Sequence, residues 1–216
     1  MKKNLIVLSV LLTAISSMAD ISVEDDSRIL IGDDITGNLR IFGAKYSYSS
    51  NFRASSGGNT EFEAKSGKIS GEWKLPKGAA GTVNLDWKNI ERGKEVSYKV
   101  SFPDPLPISE LSLNFQLPIN LGGKTVKFGN KKLTFPKDQP ENPTIAMLPG
   151  RKNVEIPLDD GILAIETKQP VTAIFVDNRK FKRNNYSIRL LFPVRKTLTT
   201  AQLDLRITMK PNAAQE

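Results

Sequence analysis

The stretch that decides the fold runs from Leu106 to Pro136 and reads LPISELSLNFQLPINLGGKTVKFGNKKLTFP. Its first part alternates apolar and polar side chains, as a strand with one buried face does. The apolar members are Leu111, Leu113, Phe115 and Leu117, and the polar ones are Ser112, Asn114 and Gln116. Thr125–Phe128 and Lys132–Phe135 then flank Gly129-Asn130, a dipeptide typical of a two-residue hairpin turn. The stretch therefore predicts a long strand followed by a tight hairpin.

The same alternation recurs through the rest of the chain from Asp20 to Met209, with Gly-, Asp- and Asn-rich turns between the segments. Proline repeatedly follows an apolar residue at the end of a segment, where it marks the place at which a strand leaves its sheet. Val171–Val176 is apolar on both faces, which indicates a central strand. No segment of helical length has a helical period. The sequence predicts an all-β fold, a large two-sheet antiparallel β-sandwich with little or no helix.

The chain has 216 residues, which is enough for one large domain or two small ones. We interpret residues 20–209 as one β-sandwich domain, because no change in composition divides them. Two immunoglobulin-like halves that meet near Pro103–Pro107 would suit the length almost as well. The polar segment 210–216 is predicted to be a disordered tail or the start of a linker.

The first residues have the pattern of a secretory signal peptide. A cationic start is followed by the largely apolar run Leu5–Ile15 and by small residues up to Ala19, so residues 1–19 are predicted to be removed by cleavage between Ala19 and Asp20. The run is too short for a transmembrane helix. We therefore expect an exported, periplasmic or extracellular protein without stable membrane insertion after signal removal. Because the chain contains no cysteine, its core has to stabilise the fold without disulfides.

The formal net charge is +8, and removal of Lys2 and Lys3 would leave +6. Basic residues cluster locally in Lys124–Lys132 and in Arg179–Arg183. A solvated, soluble surface is the simplest interpretation of this charge. If the charge has a partner, an anionic polysaccharide or a membrane surface suits an exported protein better than nucleic acid does, so no nucleic-acid partner is predicted.

The chain contains neither histidine nor cysteine. This excludes a Ser-His-Asp or Cys-His triad and a typical zinc site. A pair of carboxylates suffices for glycoside hydrolysis, but no Asp or Glu stands in a recognisable catalytic context. The acidic segments Glu24–Asp26 and Gly32–Asp34 lack the spacing of a calcium loop and are interpreted as turns. The sequence therefore predicts no catalytic residue, no metal and no cofactor.

Aromatic side chains on a sheet surface can stack on sugar rings. Trp73 and Trp87 each share a strand face with aliphatic residues, so both are interpreted as core. The predicted ligand-binding aromatics are those beside the Ser/Gly-rich loop 49–60, namely Tyr46, Tyr48 and Phe52.

Asp177 and Arg179 flank Asn178 directly after the apolar strand Val171–Val176. They are candidates to hold an anionic or hydroxyl-rich ligand at the end of that strand, although an ion-paired turn explains them better. The polar row Ser112–Gln116 has two open interpretations: a hydrogen-bonding concave face or a plain solvent face.

By the stretches FQLPINLGGKTVKFGNKKLTFP and DNRKFKRNNYSIRLLFP, the chain resembles the N-terminal β-sandwich region of large secreted bacterial multi-domain glycoside hydrolases. The resemblance spans roughly Trp73 to Met209. It implies a sandwich that is non-catalytic and that packs against a catalytic barrel or assists glycan binding. The catalytic residues of such an enzyme would lie in that barrel, so none is carried over to this sequence.

The leading interpretation is an exported non-catalytic module, not itself an enzyme, that is accessory to polysaccharide degradation or glycan binding. Its partner would be a polysaccharide or a catalytic domain of the same system. A second interpretation is an exported structural or assembly subunit that pairs through edge strands such as Ala201–Met209. A third is a carboxylate-dependent glycoside hydrolase.

Overall fold

A computed structural model describes residues 19–53, 60–194 and 196–212, and these residues are almost entirely β-strand. The strands are β1 (Ile21–Val23), β2 (Ile29–Ile31), β3 (Ile35–Gly43), β4 (Ser49–Asn51), β5 (Thr60–Lys65), β6 (Lys68–Lys74), β7 (Ala80–Ile90), β8 (Gly93–Pro118), β9 (Thr125–Phe128), β10 (Lys131–Thr134), β11 (Thr144–Pro157), β12 (Ile162–Asp177), β13 (Asn185–Leu191) and β14 (Thr197–Lys210). Three short 3-10 turns are the only helical segments among the described residues. The all-β prediction is confirmed.

The strands form two sheets that share three long strands. The first sheet has the order β1-β2-β3-β8-β13-β12-β11, with β4 beside β3, and the second has the order β5-β6-β7-β8-β14-β12-β11-β9-β10. The two halves of β8 pair with different neighbours: its first half lies between β7 and β14, and its second half lies between β3 and β13. All pairs are antiparallel, and the result is the sandwich-like arrangement that the alternation predicts.

Prolines lie where the shared strands pass from one sheet to the other. In β8, the pairing with β14 breaks between Ser101 and Leu106, the segment that holds Pro103 and Pro105. In β11 the register shifts between Leu148 and Arg151, around Pro149. Because proline has no N–H to donate, it suits a position without a ladder partner. These prolines therefore mark a change of sheet within a continuous strand, whereas the sequence predicted a strand end at Pro149.

The side chains that face the interior change parity along β8. Val96, Tyr98 and Val100 are buried in its first half, but Leu113 and Phe115 are buried in its second half. The switch falls between Ile108, which is still buried, and Leu111, where an irregular register with β3 lets the strand present its apolar residues to the same core on both sides. The largest fully buried side chains of this core include Trp73, Tyr98, Tyr186, Phe115, Phe128, Phe135 and Phe175. Trp73 is thus a core residue, as predicted.

The predicted hairpin is present. Gly129 and Asn130 connect β9 to β10, and Gly129 has a φ of +59°, which glycine adopts without steric cost. Pairs run from Phe128 with Lys131 to Thr125 with Thr134.

The prediction that Ala201–Met209 is an edge strand is wrong for Leu205–Met209. These residues belong to β14, which pairs with β8 on one side and with β12 on the other. Alternation reports one buried face of a strand, but it carries no information on how many neighbours the strand has. Both ladders of Leu205–Met209 are therefore already in use, whereas Ala201–Asp204 pair with β8 alone.

The predicted signal peptide lies outside the described residues except for its last residue. The backbone N–H of Ala19 donates to the carboxylate of Asp160 at 2.6 Å, and the carbonyl of Asp20 accepts from the N–H of Gly32 at 2.9 Å. Within the described part of the chain, no helix has the length and apolar character needed to cross a membrane.

Candidate functional site

The candidate site is a groove on the outer face of the second sheet, with a volume of about 680 Å³. Four adjacent strands, β7, β8, β14 and β12, supply its floor and walls. We call it the outer groove, and its lining residues are Asp86, Trp87, Lys88, Glu95, Val96, Ser97, Glu166, Thr167, Lys168, Gln202, Asp204, Leu205 and Arg206.

The polar character of the outer groove follows from strand alternation. In β14, Leu203, Leu205 and Ile207 are buried in the core, so Asp204 and Arg206 point to the opposite face. Strand pairing then aligns polar residues of different strands into two rows. One row is Asp86, Ser97 and Asp204, and the other is Lys88, Glu95, Arg206 and Glu166.

The second of these rows is a ladder of charges. Glu95 accepts from Lys88 Nζ at 2.7 Å through one carboxylate oxygen and from Arg206 Nη2 at 2.7 Å through the other. These hydrogen bonds from Lys88 and Arg206 hold the pKa of Glu95 below its ordinary value. The hydrogen bond between Arg206 and Glu95 also raises the pKa of Arg206. The ladder fixes opposite charges at one end of the groove.

The first row centres on a carboxylate with a fixed orientation. Ser97 Oγ donates to Asp204 Oδ1 at 2.6 Å, and Gln202 Nε2 donates to the two Asp204 oxygens at 3.0 and 3.1 Å. Asp86, which is exposed, lies across Ser97 from Asp204. Two strand spacings separate Asp86 from Asp204, about 10 Å between their Cα atoms. The row therefore places two carboxylates on either side of a hydroxyl.

This arrangement has the functional groups that bind polyhydroxylated ligands. Carboxylate oxygens accept from sugar hydroxyls, while the hydroxyl of Ser97 and the amide of Gln202 both donate and accept. Half-buried Trp87 borders the groove, but its position between Asp86 and Lys88 in β7 turns its side chain to the core face of the sheet, where it packs. With no histidine in the chain, acid–base chemistry in this groove falls to its carboxylates and lysines.

The aromatic residues that the sequence analysis singled out lie elsewhere. Tyr46 is 61% exposed, and its ring centroid lies 5.4 Å from that of Phe42. Tyr48 is half-buried and covers Gly43. Phe52 is buried in the core, 5.8 Å from the Trp73 ring, so it has no ring face open to a ligand. None of the three borders the outer groove.

Asp177 and Arg179 form a compact ion pair at the end of β12. Asp177 is fully buried and accepts from Arg179 Nη2 at 2.6 Å, from Arg179 Nε and from the Arg179 backbone N–H. Burial alone would raise the pKa of Asp177, but the hydrogen bonds from Arg179 hold that pKa below its ordinary value. Arg179 also donates to the carbonyls of Pro136 and Lys137. The pair ties the end of the β9–β10 hairpin to β12, which is the ion-paired turn of the simpler interpretation.

The acidic turn at Glu24–Asp26 also has protein partners. Asp26 accepts from Arg28 Nε at 2.7 Å and from Arg53 Nε at 3.0 Å. Burial opposes the ionised form, but these hydrogen bonds hold the pKa of Asp26 below its ordinary value.

Sequence reasoning missed the residues of the outer groove. In the sequence these residues are only the polar members of alternating strands. Every solvent-exposed strand face has the same pattern. Asp86 and Ser97 lie on one hairpin, but Glu166 and Asp204 are far from it in the sequence, and strand pairing brings them together. Only the order of the strands in the sheet identifies them as one site.

No protein-family model matches this sequence, and a comparison with curated proteins finds no match. Among solved structures, the chain is similar to a protein from Escherichia coli K12 described as a "Putative aldose 1-epimerase". The TM-score is 0.44 and the sequence identity is 9%, and the alignment covers 75% of this chain and 72% of the other. The resemblance to the sandwich of glycoside hydrolases is not confirmed beyond the β-sandwich itself.

The prediction that this chain is not an enzyme does not hold. That prediction came from the missing histidine and cysteine and from the resemblance to a non-catalytic sandwich region. Their absence excludes only the mechanisms that need them, because carboxylates serve as acids, bases and nucleophiles in their own right.

Proposed function

We propose that the chain binds carbohydrate in the outer groove and that Asp86 and Asp204 perform acid–base chemistry at the anomeric centre of the bound sugar. The observation that carries the proposal is the row Asp86–Ser97–Asp204 on a groove floor. Such a row supplies hydrogen-bonding groups at the spacing of neighbouring strands, which suits the closely spaced hydroxyls of a sugar ring.

The two carboxylates differ in their surroundings. Asp204 is held by Ser97 and Gln202, so its oxygens have a defined direction in which to take or return a proton. Asp86 is exposed on the other side of Ser97 and is placed to act on the opposite side of a ligand that spans the row. A proton acceptor and a proton donor on two sides of one ring are the requirement both for anomer interconversion and for glycosidic bond cleavage.

Activity measurements test this proposal. Purified protein is assayed by proton NMR for the rate at which α and β anomers of free sugars interconvert and, separately, for release of reducing ends from oligosaccharides. We expect Asp204→Asn and Asp86→Asn each to lower the active rate about 10²–10⁴-fold. Asp138→Asn, which removes an exposed carboxylate elsewhere, serves as the matched control and should retain the wild-type rate.

Two results would contradict the proposed chemistry. One is an absence of both activities in the wild-type chain across neutral and acidic sugars. The other is full activity in Asp204→Asn and Asp86→Asn, which would move the chemistry to another part of the surface.

We also propose that the protein is exported and acts on sugars outside the cytoplasm. The cationic start, the apolar run Leu5–Ile15 and the small residues before Asp20 support this proposal. Mass spectrometry of the protein from its native host tests it: a mature chain that begins at Asp20 is the expected result, and an intact Met1 would contradict it.

A further inference from the structure

The outer face of the first sheet carries a second group of polar residues that the outer groove does not use. It lies where β3, β8 and β13 run side by side. We call it the arginine face, and its residues are Arg40, Phe42, Glu110, Ser112, Asn114 and Arg189. Strand pairing sets Phe42 opposite Glu110, Arg40 opposite Ser112, and Asn114 opposite Arg189.

The floor of the arginine face is polar and buried, which is unusual for the outside of a sheet. Glu110, Ser112 and Asn114 are all buried. Glu110 accepts from Arg189 Nη1 at 2.8 Å and from Ser112 Oγ at 2.7 Å. A buried carboxylate is costly without partners, so Arg189 and Ser112 are held close to it.

Two buried polar atoms of this face have no hydrogen-bond partner among the described residues. They are the acceptor Asn114 Oδ1 and the donor Arg40 Nε. Buried polar groups are nearly always satisfied in folded proteins, and an unsatisfied one calls for an explanation. Because one of the two is an acceptor and the other a donor, a ligand that brings both a hydroxyl and an anionic oxygen would complete the set.

Positive charge exceeds negative charge at this face. Burial lowers the pKa of Arg40, and the positive charges of Arg183 and Arg189 lower it further, while Glu110 opposes them. Three guanidinium groups thus act around one carboxylate. An arriving anion would relieve this repulsion, and the planar guanidinium group binds a carboxylate or sulfate through two parallel hydrogen bonds.

An aromatic surface adjoins the arginines. The Arg40 guanidinium carbon lies 4.4 Å from the centroid of Phe42, and that of Arg189 lies 5.8 Å from the same centroid. The exposed ring of Tyr46 lies edge-on to Phe42. Two cations around one ring, with a second ring at the margin, suit a ligand that joins an anionic group to a flat sugar ring.

From these observations we infer that the arginine face is a binding site for an anionic saccharide. Its carboxylate or sulfate group binds Arg40 and Arg189, one of its hydroxyls donates to Asn114 Oδ1, and its ring packs on Tyr46. Both arginines are partly exposed, and rotation of the Arg40 side chain gives the ligand access to the buried atoms. This site lies on the opposite sheet from the outer groove and does not depend on the function proposed for the groove.

Calorimetric titration with three defined probes tests the inference: trigalacturonate as the carboxylate, a sulfated disaccharide as the sulfate, and maltotriose as the neutral sugar. We expect at least one acidic probe to bind the wild-type chain. Arg40→Gln should weaken that binding at least tenfold, since it removes a bidentate contact. Arg92→Gln makes the same change in net charge at an exposed turn between β7 and β8, and it should leave the affinity within twofold.

Further variants separate binding from folding. Replacement of Arg189 alone would leave Glu110 buried without its partner, so the double variant Glu110→Gln/Arg189→Gln is used and its thermal unfolding is compared with that of the wild type. It should fold and bind the acidic probe at least tenfold more weakly. In Asp204→Asn the amide shifts of β3 and β13 should respond to the acidic probe as they do in the wild type, which separates this site from the outer groove. Equal losses in Arg40→Gln and Arg92→Gln, or no binding of either acidic probe, would overturn the inference.

Discussion

The buried carboxylate of Asp177 forms an ion pair with Arg179, and this pair stabilises the surrounding structure. Arg179 satisfies the buried Asp177 carboxylate and two backbone carbonyls beyond the hairpin. Loss of one member of a buried pair leaves the other desolvated and unpaired, whereas loss of an exposed pair costs little. The sequence spacing D-x-R predicted the pair, but its burial depends on the hairpin that folds over it.

We expect Arg179→Met to lower the free energy of unfolding by about 3 kcal/mol, because Asp177 stays buried without its counter-charge. Arg206→Met removes an exposed pair with Glu95 and should cost less than about 1 kcal/mol. Urea unfolding followed by tryptophan fluorescence measures both. Equal losses of unfolding free energy in the two variants would contradict the expectation that the buried Asp177 pair stabilises the fold more than the exposed Glu95 pair.

Acid should destabilise the protein through the same residue. The folded-state pKa of Asp177 lies below its ordinary value, and so does that of Asp26. Their contribution to stability is therefore present above the unfolded-state pKa of about 3.9 and is lost as the pH falls through the lower folded-state values. The urea concentration at the unfolding midpoint should stay constant from pH 7 to about pH 4 and should decrease at lower pH. This decrease should be smaller in Asp177→Asn. An unchanged slope in the variant would contradict this assignment.

At the scale of elements, the structure places β14 in the interior of the second sheet and β10 at its edge. Proline at an interior position removes a ladder hydrogen bond, but proline at an edge position with an outward N–H does not. In the β9–β10 hairpin the Phe135 N–H donates to Lys124, so by alternation the N–H of Lys132 points away from β9.

The Met209 N–H donates to Arg92 of the β7–β8 turn, so by alternation the N–H of Thr208 faces its partner Ala164 in β12. We therefore expect Thr208→Pro in β14 to cost about 3 kcal/mol and to lower the melting temperature by roughly 6–12 °C. Lys132→Pro in β10 should change the melting temperature by no more than about 2 °C. Differential scanning calorimetry compares the two. Similar losses in both variants would contradict the assigned strand order.

The strands themselves could be predicted from alternation, because burial of one face leaves a direct trace in the sequence. Leu111–Leu117 and the hairpin at Gly129-Asn130 were predicted from local pattern and turn chemistry alone. The order of the strands could not be predicted, since pairing between segments as distant as β8 and β14 leaves no local signal. For that reason the sequence placed Leu205–Met209 of β14 at an edge and interpreted Pro149 of β11 as a strand end.

At the scale of the whole molecule, three strands that change sheets enclose one core and leave two polar outer faces. The outer groove balances carboxylates against cations, while the arginine face has an excess of positive charge. Neither site could be predicted from the sequence, because each combines residues from strands that are distant along the chain. The predicted aromatics beside loop 49–60 did include Tyr46, which borders the arginine face; the binding role of Tyr46 stays a prediction.

The measurement that tests the central claim most directly is a titration of the isotope-labelled chain with oligosaccharides, followed by amide chemical shifts. If the outer groove binds carbohydrate, the shifts that move should cluster on β7, β8, β14 and β12 around Asp86, Ser97 and Asp204, and Asp204→Asn should weaken the response. If the amide shifts of these strands do not change at saturating sugar, the claim that the outer groove binds carbohydrate is contradicted, whether or not shifts change elsewhere on the surface.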